Sequence, residues 1–234
     1  MKQPKLSWIF FLEQLKWTAW FFVILAIIFT TLIIVNITFT SVEMHDVLTN
    51  NNASNVYMLI IGLLYSYGFL DYFFKNGVTR KRFFQAALFS SVLLSIVLGI
   101  AMTMMFIGFE FFLPMSENAA PWPNLITDGG FLSILQSLAD YSIFHYFYLL
   151  IGWFIGLGFY RFRWKIGLLF IFVGILLVAI MEVLKGEIWS IPSVELFSSS
   201  LQFFATASYL IFFGMIAILI WCNYRLTKNV TIRL

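Results

Sequence analysis

Apolar stretches of about membrane-spanning length recur along this chain, broken by short polar ones. A helix rises about 1.5 Å per residue, so about 20 residues cross a hydrocarbon core of about 30 Å. Six stretches reach that length, at approximately 17–39, 56–74, 84–108, 141–160, 166–184 and 203–222. The third lies in a run without charge from Phe83 to Phe109, and the sixth in one from Leu196 to Tyr224. Asp71 and Glu182 stand near the ends of the second and fifth. All five prolines, Pro4, Pro114, Pro121, Pro123 and Pro192, fall outside the six, as regular helices require. The pattern predicts an all-α, polytopic integral membrane protein of six transmembrane helices. Residues 1–234 then form a single transmembrane domain, with no stretch long enough for a soluble one.

Composition agrees: 62% of residues are hydrophobic and 11% charged, against about a quarter charged in soluble domains. Charge then sets an orientation. Lys2, Lys5 and Lys16 form one basic cluster; Lys75, Arg80, Lys81 and Arg82 a second; Arg161, Arg163 and Lys165 a third; Arg225, Lys228 and Arg233 a fourth. With the N-terminus in the cytoplasm all four lie inside and only Lys185 outside, so the positive-inside rule predicts both termini cytoplasmic. Most acids fall on the outer side. The net charge of +3 is expected to face anionic membrane lipid, and no nucleic-acid partner is expected.

Residues 1–16 read either as an interfacial segment, with Trp8 and Trp17 at headgroup depth, or as an extension of the first span. Residues 131–139 read as a short amphipathic helix on the outer surface, and 223–234 as a cytoplasmic tail. No cleavable leader is recognised, so the first span is expected to remain as an anchor. Cys222 is the single cysteine, which rules out an intrachain disulfide.

Chemical motifs are sparse. No phosphate-cradling G-x-x-x-x-G-K-[ST] loop, no H-E-x-x-H and no G-x-S-x-G is present. His45 and His145 lie far apart without a ligand cluster, so no metal is expected. The chain therefore reads as a non-enzyme, without a cofactor of its own. Nor does an acid sit deep in a span to power ion-coupled transport. His145, near the outer end of the fourth span, is expected to hydrogen-bond a neighbouring helix.

The loop between the second and third spans, Asn76, Gly77, Val78, Thr79, Arg80, Lys81, Arg82, Phe83 and Phe84, is the most specific local feature. Gly77 permits a left-handed turn, Thr79 can cap the next helix, and the two phenylalanines are expected to anchor that helix at the membrane. Charges held on such a rigid turn suit docking on a soluble partner. Gly152 and Gly156 form a G-x-x-x-G helix-packing face, within the chain or at a dimer seam. Polar positions that could face a path between helices include Asn36, Tyr65, Ser66, Ser90, Ser91, Ser95 and Thr103; Asn36, Ser66, Ser91 and Ser95 are the chosen path-lining candidates.

A Gly followed by Thr-Arg-Lys-Arg-Phe-Phe after the second of six spans resembles the permease subunits of bacterial ABC-2-type ABC transporters. The small permeases that export antimicrobial or amphipathic peptides are the most similar. Span number, topology and length carry the resemblance over the whole chain, and residues 76–84 carry its motif. It implies a permease paired with a second copy or a related permease in the bacterial cell membrane, surrounded by membrane lipids. It further implies a cytoplasmic ABC ATPase that binds ATP and Mg and docks on residues 76–84. By the same resemblance, residues 186–202 re-enter the membrane from outside. The rival reading is a non-transporting immunity or sensing protein that acts through protein–protein contact.

Overall fold

The structure, a computed structural model, describes residues 3–38, 52–112, 130–185 and 205–230. All elements among them are helical. The elements are α1 (Gln3–Thr38), α2 (Asn52–Leu64), a π-helical turn (Tyr65–Phe69), α3 (Leu70–Lys75), α4 (Arg80–Phe112), α5 (Gly130–Lys185) and α6 (Ala205–Lys228). Among the described residues six helical segments are long and apolar enough to cross a membrane: Leu6–Leu32, Asn52–Lys75, Arg80–Gly108, Gly130–Phe162, Trp164–Leu184 and Leu210–Lys228.

Helix α1 runs unbroken from Gln3 to Thr38, so residues 3–16 are helical and continuous with the first span. Residues 131–139 likewise form the first turns of α5, not a separate surface helix, because no Gly or Pro interrupts the chain between Gly130 and Gly152. The 186–202 segment lies outside the described residues.

As one straight rod the 56 residues of α5 would measure about 84 Å. Its own contacts exclude that shape. The Phe170 ring packs over Gly158, the Phe159 ring over Gly167, and Ile151 and Ile155 over Gly174. Further along, Tyr148 Oη donates to Glu182 Oε1 at 3.4 Å. Earlier residues thus meet progressively later ones, and α5 folds back as an antiparallel pair that reverses around Phe162–Lys165. In an apolar 18-residue window 67% of residues are buried in the fourth span and 17% in the fifth, so the fifth turns most of its apolar residues outward.

The chain divides into two compact units, residues 1–57 with 85–146 and residues 58–84 with 147–234. In the first, Leu25 and Phe29 of α1 pack with Phe21, Phe22, Leu32, Met102 and Met105. In the second, α2 and α5 approach closely. A Cβ on Gly152 would strike the Leu59 carbonyl, and one on Gly156 would lie 3.0 Å from the Leu63 carbonyl and 2.8 Å from Ser66 Oγ. Small residues let these backbones touch.

Candidate functional site

Helix α3 stops at the turn singled out in the sequence. Gly77 adopts φ +76°, a left-handed conformation that costs a glycine nothing. Its N–H donates to the Phe74 carbonyl at 3.0 Å, and the Val78 N–H donates to the Phe73 carbonyl at 3.0 Å. This pair of bonds is a Schellman stop, which satisfies the last carbonyls of the helix. Asn76 Nδ2 adds a bond to the Tyr72 carbonyl at 2.8 Å. Two residues on, the Arg82 N–H donates to Thr79 Oγ1 at 3.4 Å, so Thr79 is the N-cap of α4. The turn is pinned at both ends by its own backbone.

Its side chains divide cleanly. Lys75, Asn76, Thr79, Arg80, Lys81 and Arg82 are exposed, whereas Phe83 and Phe84 are buried. The Phe83 ring lies 6.1 Å from Phe73 and 5.6 Å from Phe74. Phe84 lies 5.2 Å from both Trp153 and Tyr224. The two phenylalanines therefore fix the turn to the protein interior, not to the membrane surface as the sequence suggested. Neighbouring aromatics on three other helical segments outbid lipid for these rings.

Other cations gather at this end of the second unit. Arg80 Nη1 donates to the Lys228 carbonyl at 3.3 Å, capping the C-terminal end of α6, where a cation also meets the negative pole of the helix. Tyr160 Oη donates to Asp71 Oδ1 one residue before Arg161. The turn at 75–82, the reversal that begins at Arg161 and the end of α6 are thus drawn together.

The path-lining candidates belong to different elements. Ser66 lies in the π-helical turn of the second unit and donates to the Trp153 carbonyl at 3.4 Å. Ser91 and Ser95 lie in the first unit and donate to the Leu88 and Val92 carbonyls of their own helix, both at 2.8 Å. Thr103 does the same to Gly99 at 2.9 Å. The Asn36 side chain lies outside the described residues. Tyr65 is buried edge-on to Trp153.

A larger polar feature escaped the sequence. Eleven of the fourteen buried polar side chains among the described residues fall in the first unit, and six of them, with Tyr57 and Tyr146, link four helices in a closed ring. Thr18 of α1 meets Tyr57 Oη of α2 at 2.8 Å. Because Thr18 gives its proton to the Gln14 carbonyl, Tyr57 is the donor. Ser54 of α2 meets His145 Nε2 of α5 at 2.9 Å. Tyr146 of α5 pairs with Ser91 of α4, and Ser90 of α4 donates to Gln14 Oε1 of α1 at 2.9 Å. The sequence signals were the expectation that His145 bonds a neighbouring helix and the placing of Ser90 and Ser91 among positions that could face a path between helices. The π-helical turn had no signal beyond Gly68.

Among the described residues no three His, Cys, Asp or Glu side chains converge as a metal site would require. No family model, curated protein or solved structure matches the chain.

Proposed function

We propose that this chain is the membrane-spanning permease subunit of an ATP-driven exporter in the bacterial cytoplasmic membrane. It crosses the bilayer six times with both termini inside, and moves amphipathic or antimicrobial peptides or lipid-like molecules. A second permease, identical or related, completes the path. A separate ABC ATPase binds ATP and Mg and supplies the work.

One observation supports this reading above the others: the turn at 76–84 is rigid, cationic outside and aromatic inside. Its backbone is locked by the Schellman stop and the Thr79 cap, so force applied to Arg80, Lys81 and Arg82 is not dissipated in a floppy loop. Phe83 and Phe84 carry that displacement to Phe73, Phe74, Trp153 and Tyr224. The Arg80 bond to Lys228 extends it to the last span. Such a lever suits an external engine docking on its charged face.

The test is purification in mild detergent with identification of cytoplasmic partners, followed by reconstitution. An ATPase is expected to co-purify. Combined Arg80→Glu, Lys81→Glu and Arg82→Glu substitution is expected to leave insertion intact while hydrolysis no longer drives transport. Normal transport by that variant would overturn the coupling role, and transport by the purified chain without nucleotide would overturn the whole reading.

A further inference from the structure

Among the described residues of the second unit, three buried side-chain polar atoms find no hydrogen-bond partner within the protein: Trp153 Nε1, Asn223 Oδ1 and Thr227 Oγ1. Their residues are 0%, 0% and 1% exposed. Groups so deeply buried are ordinarily paired, since stripping water from them without replacement is costly.

Sequence spacing and one interhelical bond bring the three residues near one another. Asn223 and Thr227 stand one turn apart on the same face of α6. Asn223 reaches α5 directly, for its Nδ2 donates to the Leu150 carbonyl at 3.1 Å. Leu150 lies three residues before Trp153, so the two share a face of α5. The Phe84 ring lies 5.2 Å from that of Trp153 and 5.2 Å from that of Tyr224, the residue after Asn223. The bond to Leu150 also fixes the amide orientation. Flipped, Asn223 would set its oxygen against a carbonyl and lose the bond, so Oδ1 is the atom left over.

The chemistry of the three atoms selects their occupant. An indole N–H only donates, an amide oxygen only accepts, and a hydroxyl does both. An anion would be repelled by Asn223 Oδ1, and a cation would meet the positive end of the indole N–H. A neutral group with one lone pair and a donatable proton satisfies the set. We propose that Trp153, Asn223 and Thr227 form a binding site for a small neutral molecule that both donates and accepts hydrogen bonds, with water as its occupant. A buried water makes about three such bonds, the number available here. It would join α5 to α6 directly behind Phe84. This inference rests on the packing of the second unit and stands independently of the exporter reading.

The experiment uses full-length protein in lipid nanodiscs, with tryptophan labelled by 15N at the indole. Trp153→Phe, which removes the N–H and keeps an aromatic ring, identifies the Trp153 resonance by its loss. In the parent protein the Trp153 indole proton is expected to show a cross-peak to water. That cross-peak should vanish, and the indole shift move, in Asn223→Leu, where the isobutyl group fills the space and removes the acceptor. Thr227→Val, close to isosteric, is expected to shift the same resonance and provides the readout if Asn223→Leu fails to fold. A cross-peak to a lipid hydroxyl that disappears in deuterated lipid would retain the site and replace water as its occupant. An indole proton with neither cross-peak, and a shift indifferent to both substitutions, would refute the site.

Discussion

Gly62 and Gly152 abut across the contact between α2 and α5: a Cβ built on Gly62 would stand 3.0 Å from the Gly152 Cα and 2.7 Å from the Trp153 nitrogen. The obstacles are backbone atoms, which cannot swing aside as a side-chain tip can. Gly62→Ala and Gly152→Ala are each expected to destabilise the protein by about 1–3 kcal/mol, the usual penalty of overpacking a close contact. Gly214 of α6 has nothing within 4 Å of its would-be Cβ. Gly214→Ala should be neutral or stabilising by about 0.5–1 kcal/mol, since it relieves only the entropy cost of glycine in a helix. Thermal unfolding in one detergent would rank the three variants.

The turn before α4 makes a different demand on its glycine. Space around Gly77 is open, and the constraint is its φ of +76°. A β-branched residue resists that conformation, while Asn tolerates it. Gly77→Val is expected to cost about 1–2 kcal/mol and to loosen the Schellman bonds. Gly77→Asn should retain most of the stability. Protection of the Val78 amide in hydrogen exchange would separate the two, falling in the valine variant alone.

These two glycines show what was legible in the sequence. Gly77 stands between a helix-forming stretch and a Thr-capped one, so its role is written in its immediate neighbours. Gly152 and Gly156 could be read as a close-packing face, yet the α2 partner that includes Gly62 lies about 90 residues away and leaves no local trace. The spans themselves were readable because length and apolarity decide them. Which side of each faces inward was not, because the helices are apolar all round and carry no stripe to point at the core. Hence Phe83 and Phe84 were expected at the membrane surface and are instead buried. Ser90 and Ser91, which look alike in sequence, turn to Gln14 and Tyr146 on different helices.

The Arg80 guanidinium holds the last carbonyl of α6 at 3.3 Å from an exposed position. An exposed cation at a helix C-terminus contributes about 0.3–1 kcal/mol, and its loss acts locally. Arg80→Met is therefore expected to leave global unfolding nearly unchanged and to speed amide exchange in the last turn of α6, around residues 225–228. Lys81→Met, equally exposed but without that bond, should not. Hydrogen exchange read by mass spectrometry on the peptide covering that turn would check both.

The ring of polar pairs in the first unit makes a prediction about additivity. With one pair cut, the remaining three still connect α1, α2, α4 and α5 as an open chain. With both pairs on α2 cut, that helix loses these two polar ties, to α1 and to α5, together. Interhelical hydrogen bonds within membrane proteins average about 0.6 kcal/mol and reach about 1.7 kcal/mol, so Tyr57→Phe and Ser54→Ala should each destabilise within that range. Tyr57→Phe keeps the stack on Phe21, whose rings lie 4.2 Å apart, and so isolates the hydroxyl. Combined, the two substitutions are expected to cost more than their sum, by about 0.5 kcal/mol or more, as residues sharing a network do. Ser90→Ala with Tyr57→Phe is the comparison. It cuts the bonds from Ser90 to Gln14 and from Tyr57 to Thr18 of α1 but leaves α2 tied to α5 through Ser54 and His145. Since that pair of cuts removes both ring ties of α1, it should be superadditive as well, whereas Ser54→Ala with Ser90→Ala cuts opposite sides of the ring and leaves each helix one of its ring ties. That last pair should be additive. Unfolding titrations of the three double variants and their parents would settle the order, and equal additivity in all three would show that the pairs act separately and not as a ring.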